Sequence, residues 1–139
     1  MTNEEQGAFE AVRNFLDSYS QRNIEACMSL ISASRPIMLF GTNENEVFKT
    51  RDDLRSALKR DFDSMTNIRW GEHRQFHVEA LSTLASVLVE LSISYQIGGK
   101  ETETLFRYAL TLTREDGQWK ICSGMASVPF AAGTYSFSK

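Results

Sequence analysis

Cysteine and proline are both scarce in this chain of 139 residues, which has two of each. Cys27 and Cys122 cannot form a disulfide framework, and each lies within an apolar pattern, so we expect two buried free thiols. No apolar run approaches the roughly 18 residues that a membrane-spanning helix needs, so we expect no membrane partner. The first residues are polar and acidic, so we also expect no signal peptide and a cytoplasmic location.

Basic residues are in the minority, with 15 Lys and Arg against 18 Asp and Glu and a net charge of −3. Because nucleic-acid binding relies on basic groups that neutralise phosphates, this balance argues against a nucleic-acid partner. The basic residues of the predicted strands, Arg69, Arg74 and Arg107, are too few and too dispersed to form such a surface.

Histidine is equally rare, and the two histidines, His73 and His77, are spaced i and i+4. Their segment has the pattern of a strand, in which the two side chains would share one face about 13 Å apart. That distance is too long for one metal ion. We therefore predict two solvent-facing histidines on an edge or an outer face, no metal site, and no cofactor.

The length and an apolar content of 42% suit a single globular domain over residues 1–139. Capping-box spacing at Thr2 and Glu5 predicts a helix from Asn3 onward, and the same signal at Thr50 and Asp53 predicts another. Helical spacing of apolar residues predicts a shorter helix over 24–31 between them. The chain thus begins with three helices.

From residue 68 onward the hydrophobic period changes to two, which is typical of strands. The predicted strands cover residues 68–80, 84–97, 101–113 and 118–128, after short strands at 37–40 and 47–49. Hairpin turns are predicted at Gly98-Gly99 and Asp116-Gly117. We therefore predict an α+β fold, in which three N-terminal helices pack on a strongly curved, mainly antiparallel sheet of four to six strands. Such a sheet forms a cone with a pocket.

The hairpin at residues 107–129 carries a family resemblance. Its frame is Asp116-Gly117-Gln118-Trp119 followed by Ser127-Val128-Pro129. This frame is similar to the last hairpin of the NTF2-like superfamily, and in particular of its SnoaL-like branch, with a cone fold like that of ketosteroid isomerases. Ser123 and Met125 stand where many relatives have histidine, and the period of two places them on one face with Trp119. The resemblance implies a homodimer formed through the sheet.

The resemblance also implies where a ligand pocket would lie. Phe15 falls at the position of the isomerase tyrosine and Phe40 near that of the catalytic base, so the isomerase constellation is not matched. Tyr19 could present its hydroxyl to the cone, or it could simply pack on the sheet with its hydroxyl at the rim. The candidate pocket residues are Phe15, Tyr19, Phe40, Arg107, Trp119, Ser123 and Met125.

Two charged residues of the predicted strands leave alternatives open. Arg107 could clamp an anionic ligand in the cone, or it could form an ion pair with Glu90 or Glu103. Glu90 could act as a general base, but a solvent-facing or paired role is favoured.

Three functions remain open from the sequence. The favoured one is an apolar, cone-shaped pocket that binds a small organic ligand, with anionic ligands among the candidates. The first alternative is an enzyme of the isomerase, dehydratase or cyclase type, and the second is an oligomerisation or assembly module. The tail, residues 130–139, could cover a sheet edge or the pocket of a partner.

Overall fold

The computed structural model describes residues 1–135, and three helices occupy the first half of the chain. They are α1 (Asn3–Ser20), α2 (Ile24–Met28) and α3 (Arg51–Ser64). Capping boxes at Thr2 and Thr50 begin α1 and α3, as predicted. Helix α2 ends before the predicted Ile31, where the backbone instead forms a parallel β-bridge to Ile121. No helix within residues 1–135 is both long and apolar enough to cross a membrane.

Six strands form one sheet in the order β2-β1-β6-β5-β4-β3. They are β1 (Met38–Phe40), β2 (Val47–Phe48), β3 (Thr66–Ala80), β4 (Leu84–Ile97), β5 (Lys100–Glu115) and β6 (Gln118–Ser127). All neighbouring strands are antiparallel except β1 and β6, which are parallel. The predicted α+β fold, with helices followed by a mainly antiparallel sheet, is confirmed.

The helices cover one face of the sheet, which we call the inner face; the opposite face is the outer face. Strand β4 shows the division, because Ala85, Val87, Val89, Leu91 and Ile93 alternate along it and are all buried. Helix α1 packs on this face against β3, β4 and β6. Each fully buried Val, Leu or Ile side chain stabilises the fold by about 1.5–3 kcal/mol, so this alternation fixes the register of the strand.

A β-bulge interrupts the pairing of β6 with β5. Ile121 lies opposite Leu112 of β5, and Ser123 lies opposite Thr111, which directly precedes Leu112 in β5. Two steps along β6 thus correspond to one step along β5. Cys122 is therefore the extra residue of the bulge, and the side chains that follow it exchange faces.

This bulge makes one prediction wrong, namely that Trp119, Ser123 and Met125 share a face. Trp119 precedes the bulge and is buried beneath α1. Ser123 and Met125 follow it and pair with outer-face positions of β5, and Met125 is largely exposed. An uninterrupted period of two cannot hold across an inserted residue.

Bulges in β3 also make the predicted placement of the two histidines on one face wrong. The pairing with β4 shifts on both sides of His73, so that His73 lies opposite Leu91 on the inner face and His77 opposite Leu88 on the outer face. His73 packs at 5.4 Å from the ring of Phe9 and is only half exposed, whereas His77 is exposed. The two histidines lie on the edge strand, as predicted, but they do not share a face, and only His77 faces solvent.

The segment after β6 has no helix or strand up to residue 135. The rings of Phe130 and Tyr135 lie 4.9 Å apart, and both residues are exposed. Phe137, the third aromatic residue of the tail, lies outside the described residues.

Candidate functional site

Helix α1, helix α3 and the inner face of the sheet surround a cavity of about 110 Å³. Its lining is mostly apolar and comes from distant parts of the chain. The lining residues are Phe15, Tyr19, Gly41, Thr42, Glu46, Phe48, Leu54, Ala57, Leu58, Asp61, Trp70, Ile93, Phe106, Tyr108 and Ala126. Such a concave, largely apolar space with few polar groups is the usual form of a small-molecule site.

A second, smaller cavity of about 60 Å³ adjoins the first and extends toward β1 and β6. The two cavities share six lining residues, among them Phe15, Tyr108 and Ala126. No charged side chain of the described residues lines the second cavity. They are therefore neighbouring cavities, one with acidic residues in its lining and one without.

Six aromatic side chains line the first cavity. Five of them contact one another in a series, and we call these five the aromatic wall: Phe15, Tyr19, Trp70, Phe106 and Tyr108. Their ring centroids lie 4.9 to 6.4 Å apart from one neighbour to the next. Most of these pairs are edge to face, which is a favoured arrangement for aromatic rings.

The Trp70 ring of the wall is held by a hydrogen bond. Its indole Nε1 donates to the carbonyl oxygen of Leu16 at 2.8 Å. This bond ties β3 to α1 and fixes the orientation of the indole beside the cavity.

The polar end of the cavity is formed by Asp61 of α3 and Tyr19 of α1. The hydroxyl of Tyr19 donates to Oδ2 of Asp61 at 2.7 Å. Within residues 1–135 the Asp61 carboxyl accepts no other hydrogen bond, so Oδ1 is available to a ligand. A short bond of this kind to a half-buried carboxyl is stronger than one between neutral groups.

Burial controls the ionisation of this polar end. Burial raises the pKa of Asp61, the charge of Glu46 raises it further, and the hydrogen bond from Tyr19 opposes both effects. Burial also raises the pKa of Tyr19 and Tyr108 above the usual range of a phenol, so both hydroxyls stay protonated. The lining thus includes the Asp61 carboxyl, whose pKa is raised, and the neutral hydroxyls of Tyr19 and Tyr108.

The charges that line the first cavity are of one sign. Asp61 and Glu46 are acidic, and no Lys, Arg or His of the described chain lines either cavity. Residues 1–135 hold no group of three or more His, Cys, Asp or Glu side chains arranged to bind a metal ion. The cavity therefore favours neutral or cationic ligands over anions.

The sequence match that decides the family covers most of the chain, since residues 9–131 match the SnoaL-like domain. The chain belongs to the SnoaL-like family. The predicted resemblance to the SnoaL-like branch of the NTF2-like superfamily is thereby confirmed. No curated protein matches this SnoaL-like protein in sequence.

Solved structures share the fold of this SnoaL-like protein over nearly its whole length. A ketosteroid isomerase-like protein from Erwinia carotovora atroseptica has a TM-score of 0.79 at 15% identity, covering 94% of this chain and 99% of that chain. An NTF2-like protein of unknown function from Pseudomonas putida has a TM-score of 0.77 at 20% identity, covering 98% and 94%. An NTF2-like protein from Cytophaga hutchinsonii has a TM-score of 0.75 at 15% identity, covering 92% and 100%. At such identities the likeness concerns the fold, and function must come from the site.

The seven residues that the sequence predicts for the pocket lie in three places in this SnoaL-like protein. Phe15 and Tyr19 line the first cavity. Phe40 and Met125 border the second cavity and are also largely exposed, 43% and 49%. The remaining three, Arg107, Trp119 and Ser123, line neither cavity.

Arg107 lies on the outer face and not in the cone. Its Nε donates to Oε2 of Glu90 at 2.7 Å, on the neighbouring strand. The ion pair, one of the two alternatives for Arg107, is therefore present. Glu90 is the more buried partner and also lies 3.9 Å from Arg74, so it holds two arginines on the outer face.

Sequence reasoning found only Phe15 and Tyr19 of the first cavity in this SnoaL-like protein. The missed residues include Asp61 and three members of the aromatic wall, Trp70, Phe106 and Tyr108. A signal for Asp61 existed, because it lies three residues after Leu58 on the apolar side of α3. The apolar side of a helix normally faces the core, so an acidic residue on that side is unusual and predicts a buried carboxyl. Phe106 and Tyr108 precede the buried Leu110 and Leu112 at a constant spacing of two residues. The period of two therefore predicts that all four lie on the same, inner face.

Proposed function

We propose that this SnoaL-like protein binds a small organic molecule in the cavity beside the aromatic wall. The observation that carries the proposal is the Tyr19–Asp61 pair, which sets a hydrogen-bonded carboxyl in a cavity with a mostly apolar, largely aromatic lining. A site of this kind binds the apolar part of a ligand by contact and orients it by one polar group. The position of Arg107 on the outer face gives no support for an anionic ligand in this cavity.

A thermal-shift screen tests this proposal. The compounds are small carboxylic acids, amines, steroids, polyketide-like aromatics and terpenoids. A ligand at about a hundred times its dissociation constant adds roughly 2.7 kcal/mol to the free energy of unfolding, which is a visible shift. A flat screen across all these classes contradicts the proposal.

Two matched variants locate the binding site of any hit. Ala126 lines both cavities on the inner face, so Ala126→Leu fills the space and should abolish the shift. Ala109, on the neighbouring strand, pairs with Met125 on the outer face, so Ala109→Leu should leave the shift unchanged. Loss of the shift in Ala109→Leu alone places binding outside the cavity.

A second candidate is an acid–base enzyme that uses the same cavity. The half-buried Asp61 favours it, because a carboxyl with a raised pKa holds and releases protons closer to neutral pH than an ordinary one. The test is to incubate each screen hit with the protein and to follow conversion by NMR. Conversion that disappears in Asp61→Asn while binding persists supports the enzyme, and absence of conversion for every hit contradicts it.

We also propose a homodimer formed through the outer face of the sheet. Large apolar side chains are exposed there, including Phe40, Leu88 and Met125. Register places these three in one row across the sheet. Sedimentation velocity should give a dimer for the wild type and a monomer for Leu88→Lys; a wild-type monomer overturns this proposal, and a larger ring favours an assembly module.

The cytoplasm is our proposed location. It is supported by the two cysteines, both of which are free and buried, because unpaired thiols are typical of reducing compartments. Expression in the native organism with a fluorescent tag tests it, and fluorescence at the cell envelope contradicts it.

A further inference from the structure

We infer that the ligand is a small organic cation, an amine or a quaternary ammonium, held between the faces of the aromatic wall and the carboxylate of Asp61. This inference rests on the proposed function, because it names the ligand class of the same cavity. It goes further, since an apolar cavity alone would accept any neutral molecule of suitable size.

The aromatic wall supplies the first part of the argument. The five rings of the wall line one cavity together with Phe48, and the face of each ring carries partial negative charge. A cation within about 6 Å of a ring centroid is attracted to that face, and the attraction grows when water is excluded. Trp70, the strongest ring type for this contact, is fixed in place by its bond to Leu16.

The charge of the lining supplies the second part. Asp61 and Glu46 are the charged groups that line the first cavity, and no basic residue of the described chain lines it. Among residues 1–135 Asp61 forms no salt bridge, and the charge of Arg60 only partly offsets its burial, which leaves the pKa of the carboxyl raised. A cationic ligand supplies the missing partner in a medium where charges interact more strongly than in water.

The hydrogen-bonding groups supply the third part. The Tyr19 hydroxyl already donates a hydrogen bond to Oδ2 of Asp61, which leaves Oδ1 to accept a hydrogen bond from the ligand or to face its positive charge. A carboxylate ligand would instead meet Asp61 with the same charge. The polar end of the cavity therefore discriminates by charge and not only by shape.

The sizes of the two cavities define how such a ligand would lie. The first cavity, of about 110 Å³, suits one compact head group beside the rings. The second, of about 60 Å³ and without charged lining residues, suits an alkyl or aryl substituent of that head group. We expect a cationic head at Asp61 and an apolar substituent toward Phe48 and Leu110.

The experiment compares choline with 3,3-dimethyl-1-butanol, which has the same shape without the charge. Isothermal titration calorimetry of the full chain at pH 7.5 measures both affinities. We expect choline to bind at least about tenfold more tightly than the neutral alcohol. Asp61→Asn should remove this preference, because its amide keeps the shape and the acceptor for Tyr19 but not the charge.

A matched control lies two residues away on the same helix. Asp63 is exposed and pairs with Lys59, so Asp63→Asn removes the same charge from α3 without touching the cavity. It should keep the tenfold preference. If Asp61→Asn does not fold, as judged by its thermal melt, Phe106→Leu replaces it, and this variant should weaken choline binding more than binding of the alcohol.

The outcomes separate the two claims. Equal affinity of choline and the alcohol overturns the cation inference but leaves a binding cavity. Screen hits among neutral or acidic compounds, with no binding of choline or of other amines, likewise overturn the cation inference and leave a binding cavity. A flat screen together with no binding of either probe overturns both claims, and a preference that persists in Asp61→Asn also overturns the cation inference.

Discussion

The hydroxyl of Tyr19 donates to Oδ2 of Asp61 at 2.7 Å, and this bond joins the first and third helices at the polar end of the cavity. Tyr19 is also in contact with Phe62 and Trp70 through its ring. The residue therefore contributes both to the stability of the helical layer and to the site.

Tyr19→Phe should destabilise the protein by about 1–3 kcal/mol, because it leaves a half-buried carboxyl without its donor while keeping the ring. Urea unfolding followed by circular dichroism measures the change. Tyr135→Phe removes a hydroxyl from an exposed residue and should change the free energy of unfolding by less than about 0.5 kcal/mol. Equal effects of the two variants would show that the bond to Asp61 contributes nothing.

The raised pKa of Asp61 predicts how stability depends on pH. The folded state holds the proton to higher pH than the unfolded chain, whose carboxyl has a pKa near 3.8. The contribution of Asp61 to stability is therefore complete below about pH 4 and is lost as pH rises through the folded pKa. The groups that act on it are Tyr19, Tyr108, Glu46 and Arg60.

The measurement is the free energy of unfolding of wild type minus that of Asp61→Asn, from pH 3.5 to pH 8. We expect this difference to fall with rising pH and then to level off. A difference that rises with pH for Asp61 would mean that its pKa is lowered in the fold, contrary to this account.

The affinity for choline should have the opposite pH dependence. Choline needs the carboxylate form of Asp61, so its affinity should increase as pH rises through the same interval. Calorimetric titrations of the wild type at several pH values test this, and an affinity independent of pH between 4 and 8 speaks against Asp61 as the counter-ion.

Gly124 is required by the close approach of β6 to β5. It has φ of +144°, and a Cβ there would lie 2.1 Å from the carbonyl oxygen of Ala109. Gly124→Ala should therefore destabilise the protein by about 3 kcal/mol or more. Gly99→Ala is the control, since its φ of +81° lies in open space and should cost only about 1–2 kcal/mol. Thermal melts compare the two, and a smaller loss at Gly124 contradicts the geometry.

Arg107→Ala should change little. The side chain is 53% exposed in its ion pair with Glu90, and pairs of this kind contribute at most about 1 kcal/mol. The affinity for choline should stay at the wild-type value, because Arg107 lies on the outer face. A large loss of choline binding in Arg107→Ala would return Arg107 to the ligand site.

The two thiols should be unreactive in the folded protein. Burial raises the pKa of Cys27 to about 12, and burial also raises that of Cys122. Iodoacetamide at pH 8 should label neither residue in the native state and both in 8 M urea, as counted by mass spectrometry. Rapid native labelling of Cys27 contradicts its complete burial.

Most of the fold follows from local patterns in the sequence. Capping boxes at Thr2 and Thr50 determine where α1 and α3 begin, and the alternation from Ala85 to Ile93 determines the buried face of β4. Asp116-Gly117 determines the last hairpin turn, with both residues at positive φ as that turn requires. Each of these signals depends only on residues close together in the chain, so it can be recognised in one sequence.

The candidate site could be predicted only in part, because bulges and long-range contacts decide its membership. The extra residue Cys122 moves Ser123 and Met125 away from the face of Trp119, and nothing in the alternation of β6 signals it. Asp61 enters the site through a bond to Tyr19, 42 positions earlier in the chain. Such a contact depends on how α3 packs against α1, which the pattern of neither helix specifies.

The two tryptophans of the chain allow the most direct test of a ligand at the aromatic wall. Trp70 lines the first cavity, whereas Trp119 is buried elsewhere and lines neither. Their indole N–H signals in a ¹⁵N-labelled sample can be assigned with Trp70→Phe and Trp119→Phe. On titration with choline, this account predicts that the Trp70 indole signal shifts and that the Trp119 signal stays in place. A shift of Trp119 alone, or saturable choline binding that moves neither signal, would contradict it.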